Sequence, residues 1–336
     1  MSADETILGF GADNALVGIL TEPGDGVARA QVGCLLLNTG LNHRVGQRRI
    51  NVKLARRLAA SGMACLRFDM SGIGDSRPSG SRVGFRQQQS SDMAAALDQF
   101  QASTGLRHFL VFGVCSGAAN ALAVSLADAR VVGVLMFDGY DFLDARVRAE
   151  RKLRRWLAFP FNAALRRRDA AWQDWLAWLR APLAPHARQQ LVARLRKRTG
   201  VAQEAQSDIF GTDAPVYTAA DFSADLQVLL DRGVDVYLMY SALLHVVDRN
   251  MDMLAQLRGQ PWLARIRYRF WPDLDHTVTL VEAQRRLLDA VDAWAVEVAQ
   301  RPRTAIALPE RNAMGAPAAS GFGPIAMAQV AATSRW

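Results

Sequence analysis

The 336 residues are half hydrophobic and carry a formal net charge of +8, a composition that suits a large buried core and excludes a disordered or fibrous chain. Three cysteines, Cys34, Cys65 and Cys115, form an odd set without metal-ligand spacing, which argues against a disulfide-stapled secreted domain and for reduced thiols in the cytoplasm. The opening MSADETILGF is acidic, and no apolar run reaches the ~20 residues of a membrane span, so a cytoplasmic protein is expected, peripheral at the inner membrane at most.

Thr6 to Gly11 and Ala15 to Thr21 predict two short strands around Ala12-Asp13-Asn14. Val32 to Leu37 is a continuous apolar run of the kind covered on both faces of a parallel sheet. It ends in the polar loop Asn38 to His43. From Gln47 to Ala60, Ile50, Leu54 and Leu58 recur every four residues, predicting an amphipathic helix closed by Ser61-Gly62. Met63 to Phe68 reads as the next strand, followed by the turn Asp69 to Ser76. A helix is expected from Ser90 or Ser91 to Gln101.

Phe109 to Phe112 predicts a buried strand, and Ser116 to Ala127 a tightly packed helix. Between them stands Gly113-Val114-Cys115-Ser116-Gly117, the spacing of a strand-to-helix nucleophile elbow. Such a bend forces the central residue into a strained conformation and leaves no room for side chains two positions either side. Cys115 as centre has glycine at both flanks, whereas Ser116 would have Val114 and Ala118. Cys115 is therefore favoured, with its thiol at a helix N-terminus that stabilises a thiolate.

Val131 to Phe137 is a further apolar strand, ending at Asp138. After it the character changes. Residues 141–200 hold 15 Lys/Arg against 5 Asp/Glu, and the rest of the chain 25 against 27. Trp172, Trp175, Leu176 and Leu179 share one helical face, which predicts an inserted basic helical cap over 141–225 able to touch anionic lipid. No motif for reading nucleic acid accompanies the arginines. The sheet resumes at Val234 to Tyr240. Arg265 to Phe270 alternates Arg with Ile, Tyr and Phe, as a strand near a sheet edge does. His276 follows, then a closing helix, Val278 to Ala299, and an Ala/Pro/Gly-rich tail over 301–336 expected to be disordered.

Strand–helix alternation through residues 32–138 predicts an α/β fold with a mostly parallel sheet covered on both faces, split into a core of 1–140 and 226–300. Ligands of such sheets sit at the carboxyl ends of the strands. The Asn38–His43 loop, the Asp69–Ser76 loop, Cys115 and Asp138 all fall there.

The order nucleophile, acid, histidine resembles the α/β-hydrolase superfamily. The segments NHRVGQRR (42–49), ARRLAASG (55–62) and LRFDMSGIGDS (66–76) resemble its serine-aminopeptidase-like branch, and within it the exosortase-A-system-associated hydrolases of bacterial polysaccharide loci. The resemblance implies an α/β-hydrolase fold with an inserted helical cap and an ester- or thioester-directed hydrolase or acyltransferase. It also implies a small or carrier-bound acyl substrate, and no cofactor or metal.

His276 is the candidate base, since imidazole titrates near neutrality and this loop returns over the elbow. His43 is its rival, in the loop after the first central strand, and His43 and Asn42 are candidates for touching substrate. The Leu41 and Ser116 backbone N–H groups are the candidate oxyanion hole. The family places its acid just beyond the penultimate long strand, where this chain reads Ser241-Ala242-Leu243-Leu244-His245-Val246-Val247-Asp248. Asp248 is the first choice and Asp138 the second. Asp69 and Asp75 are expected to brace their own turn. The alternative to catalysis is a quiet hydrolase fold used for binding or for assembly at a membrane.

Overall fold

The structure, a computed structural model, describes residues 3–80, 83–143, 217–243 and 253–302. By its internal packing the chain divides into two units, 1–142 with 213–336, and 143–212. All that follows concerns the first. Most of the expected cap, Asp248, and nearly all of the expected tail lie outside the described residues.

Eight strands form one sheet in the order β1-β2-β4-β3-β5-β6-β7-β8. They are β1 (Asp4–Phe10), β2 (Leu16–Glu22), β3 (Gly33–Leu36), β4 (Cys65–Phe68), β5 (Phe109–Val114), β6 (Val131–Phe137), β7 (Asp235–Leu243) and β8 (Arg267–Asp275). β2 pairs antiparallel with β1 and β4, and every other pairing is parallel. The central strands β3, β4 and β5 are buried at every position. Helices α1 (Ile50–Ala60) and α5 (Val281–Gln300) cover one face through Leu54, Leu58, Leu287, Val291 and Trp294. α2 (Phe85–Thr104), α3 (Ser116–Ala127) and α4 (Ala219–Asp231) cover the other. A two-faced parallel sheet needs the continuous apolar runs that these strands carry.

Two expectations shift. α2 begins at Phe85, a full turn before the serines, after an extended Gly84 that offers no side-chain cap. Ser90 and Ser91 do not cap it: their hydroxyls donate back to the Arg86 and Gln87 carbonyls, at 3.1 and 3.0 Å, the alternative that serine takes inside a helix. The expected helix from Gln47 opens as a short turn, Gln47–Arg49, with Arg48 and Arg49 at φ 54° and 60°, and turns α-helical only at Ile50.

β8 lies at the sheet edge and runs on to Asp275. The edge position is the one its alternation with arginine suggested, and Tyr268 stays 40% exposed, against Tyr240. Among the described residues no helix is long and apolar enough to cross a membrane.

Candidate active site

Cys115 follows β5 directly and caps α3 with φ 57° and ψ −119°, a conformation that costs a non-glycine residue of order 1–3 kcal/mol and persists only where the surroundings enforce it. They do. A Cβ on Gly113 would sit 2.0 Å from the Gly117 carbonyl oxygen, and one on Gly117 would sit 2.5 Å from that of Asn38. The Cys115 N–H donates to the Phe137 carbonyl on β6 at 2.9 Å, and the Ala118 N–H donates back to Cys115 at 3.0 Å. The thiol is half-buried, while Cys34 and Cys65 are wholly enclosed.

His276 follows β8 and comes back over this bend. Its Nδ1–H donates to Asp138 Oδ2 at 2.9 Å, and Cys115 is close enough to interact with the ring. Burial alone would lower the pKa of the ring. The bonds to the Asp138 carboxylate and to Cys115 outweigh it and push the imidazole up to about 10. Asp275 braces the turn that carries the ring, accepting from the Thr277 hydroxyl at 2.6 Å and the Thr279 N–H at 2.8 Å. Gln47 Nε2 donates to the His276 carbonyl at 3.2 Å.

Of the two carboxylates proposed from sequence, Asp138 is the one that the structure places against His276. Asp248, the first choice, lies outside the described residues. Asp138 sits one residue past β6 at φ 49°, nearly enclosed, and β7 fastens it. Its N–H donates to the Met239 carbonyl at 2.9 Å. The Ser241 N–H donates to Oδ1 and the Ser241 hydroxyl to Oδ2, both at 2.6 Å. The Tyr240 hydroxyl donates to the Tyr140 carbonyl at 2.7 Å. Ser241 and Gln47 escaped the sequence reading; a lone serine ending an apolar strand has no periodic or spacing signature.

On the other side of the elbow, the Asn42 N–H donates to the Thr39 carbonyl at 3.0 Å, closing a turn with Gly40 at φ 56° and Leu41 at its centre. Leu41 is 69% exposed. The Gly40 N–H donates to Ser116 Oγ at 2.6 Å. Asn42 is exposed at the same turn.

His43 is drawn into a polar knot behind the turn. Its Nε2 lies 3.2 Å from Asp75 and 2.8 Å from Arg44 Nη1. The enclosed Asp69 accepts from the Arg44 backbone N–H at 2.5 Å, from the Asp75 N–H at 3.1 Å and from Asn38 Nδ2 at 3.2 Å, and pairs with the Arg44 guanidinium. That is the bracing role expected for Asp69. Asp75 instead pairs with Arg44 and His43 through its side chain, which holds its carboxyl below the usual range. The ligand-type atoms of His43, Asp69 and Asp75 lie within 4.8 Å of one another. The Arg44 guanidinium bonds both carboxylates, so the positive charge a metal would bring is already there.

The family model of the α/β hydrolase fold matches residues 34–228, more than half of the chain. A search of curated proteins returns no match. Among solved structures, an α/β serine hydrolase without lid from Xanthomonas campestris is 14% identical, covering 88% of this chain and 95% of its own, with TM-score 0.45. Dienelactone hydrolase from Anabaena variabilis is 12% identical over 88% and 99%, with TM-score 0.47. The esterase domain of a Rhodothermus marinus protein is 16% identical over 88% and 98%, with TM-score 0.46. With the sheet order, the bend at Cys115 and the family match together, this chain belongs to the α/β-hydrolase fold family.

Proposed function

We propose that this protein is a cysteine-dependent hydrolase or acyltransferase of esters or thioesters, with Cys115 as nucleophile, His276 as proton carrier and Asp138 as orienting acid. The observation that carries the reading is the line Asp138–His276–Cys115, with the sulfur raised on a strained bend at the carboxyl end of β5.

In the reaction, Sγ attacks the acyl carbonyl carbon and forms a C–S bond, while the carbonyl π electrons move to oxygen. The Leu41 and Ser116 N–H groups receive that oxyanion. As the carbonyl re-forms, the bond to the alkoxide or thiolate leaving group breaks, and His276 hands it a proton. Neutral His276 then takes a proton from water or an acceptor hydroxyl, which attacks the thioester and frees Cys115. This chemistry calls for no metal or organic cofactor.

In this reading Asn42 meets substrate, supported by its exposure at the Thr39–Asn42 turn, and His43 does so less directly through its half-exposed ring. A role in bacterial surface-polysaccharide metabolism is supported by the sequence resemblance of residues 42–76, and contact with anionic membrane by the charge of residues 141–200. Liposome co-sedimentation with and without anionic lipid tests the latter; equal binding removes it.

A panel of p-nitrophenyl esters and acyl thioesters, run on wild type and Cys115→Ala, tests the reading. Turnover in the wild type that vanishes in the variant supports it. Turnover the variant keeps in full removes the cysteine from the mechanism, and silence of the wild type across the panel favours a binding or assembly role.

A further inference from the structure

The hydroxyl of Ser116 has a partner that the catalytic line does not use. Ser116 opens α3 directly after the nucleophile, and its Oγ accepts the Gly40 N–H at 2.6 Å from across the site, 76 residues away in sequence. Gly40 is the first central residue of the turn closed by Asn42 and Thr39, at φ 56°, with nothing within 4 Å of where a Cβ would stand. Glycine is needed there for its backbone freedom, not for space. The next N–H along that turn is Leu41's. A second contact brings the same two segments together: the start of α3 approaches Asn38 so closely that Gly117 admits no side chain.

We propose that Ser116 is a positioning residue, whose hydroxyl locks the Thr39–Asn42 turn to the elbow and thereby sets the Leu41 N–H against the Ser116 N–H for the oxyanion. The inference rests on the acyl-transfer reading above. The backbone N–H of Ser116 is fixed by the helix. The Leu41 N–H belongs to a mostly exposed turn, and the hydrogen bond to Ser116 is its direct tie to the bend. A donor displaced from the developing oxyanion loses most of its effect on the barrier. The serine beside the nucleophile thus acts through Gly40, without attacking substrate itself.

Two reactions of the same sulfur separate this role from a merely structural one. Acylation by p-nitrophenyl acetate passes through a tetrahedral oxyanion, whereas alkylation by iodoacetamide displaces iodide and forms none. The wild type is examined first: if no acetyl group is found on Cys115 by mass spectrometry, the acyl-transfer reading falls and takes this inference with it. Given acylation of the wild type, Ser116→Ala is expected to acylate about ten-fold more slowly. Its KM should change little, and its alkylation rate should stay within about two-fold of wild type. Ser116→Thr, which keeps the hydroxyl, should recover most of the acylation rate. Unchanged acylation in Ser116→Ala, or equal losses of acylation and alkylation, would overturn the role.

Discussion

Ser241 holds both oxygens of Asp138, one through its backbone N–H and one through its hydroxyl, each at 2.6 Å. A carboxylate carried at the end of β6 is thus aimed at His276 by the neighbouring strand. Asp138→Asn is expected to lower kcat/KM by about 10²-fold or more, since the ring loses its orienting anion. Ser241→Ala, which keeps the N–H bond, should cost about ten-fold, mainly in kcat. Asp248→Asn should stay within about three-fold of wild type. Steady-state kinetics on the three variants check the ranking, and a severe loss confined to Asp248→Asn would reverse the assignment.

The pH profile follows from the raised imidazole. Its pKa stands near 10 against an ordinary 6.5, so the proton needed by the leaving group stays on the ring through neutrality. Activity towards a poor leaving group should therefore fall as pH rises through about 10. Asp138 is among the groups that raise the ring, so Asp138→Asn should move that alkaline limb to lower pH. For stability the sign is the same. A group raised on folding contributes fully below its unfolded pKa of about 6.5, and that contribution is lost as pH climbs through about 10. Urea midpoints at pH 7 and pH 10.5, compared between wild type and His276→Ala, measure it; the gap between the two proteins should narrow at high pH.

The three thiols should differ sharply in reactivity. Cys34 and Cys65 are 0% exposed, and burial pushes the Cys65 thiol up, whereas Cys115 is accessible beside His276. Brief treatment of the folded protein with iodoacetamide should modify Cys115 alone and abolish turnover in step with labelling. Peptide mapping reads the sites, and early label on Cys34 or Cys65 would contradict the packing around them.

The glycines of the elbow and of the oxyanion turn should also separate. Gly113→Ala drives a methyl into the Gly117 carbonyl, 2.0 Å away, and should cost about 3 kcal/mol of stability or more. Gly40→Ala meets no atom but keeps a positive φ, and should cost about 1 kcal/mol. Chemical denaturation of both variants gives the comparison.

Much of the scaffold could be read from residue order because buried parallel strands need unbroken apolar runs. β6 is bounded as its run Val131–Phe137 suggested. The elbow was legible for a steric reason, since only glycines fit beside the Cys115 bend. The acid was harder. Asp138 and Ser241 meet because β6 and β7 are neighbours in the sheet, and linear distance from a strand end does not report which two strand ends touch. The start of α2 was misplaced because a serine that caps a helix and one that bonds back within it look alike in sequence.

β6 supplies the carboxylate that faces His276, and β7 supplies both bonds that hold it. The seam between these two strands therefore has to keep its register: a slip of one residue would turn Ser241 to the opposite face and leave Asp138 without its clamp.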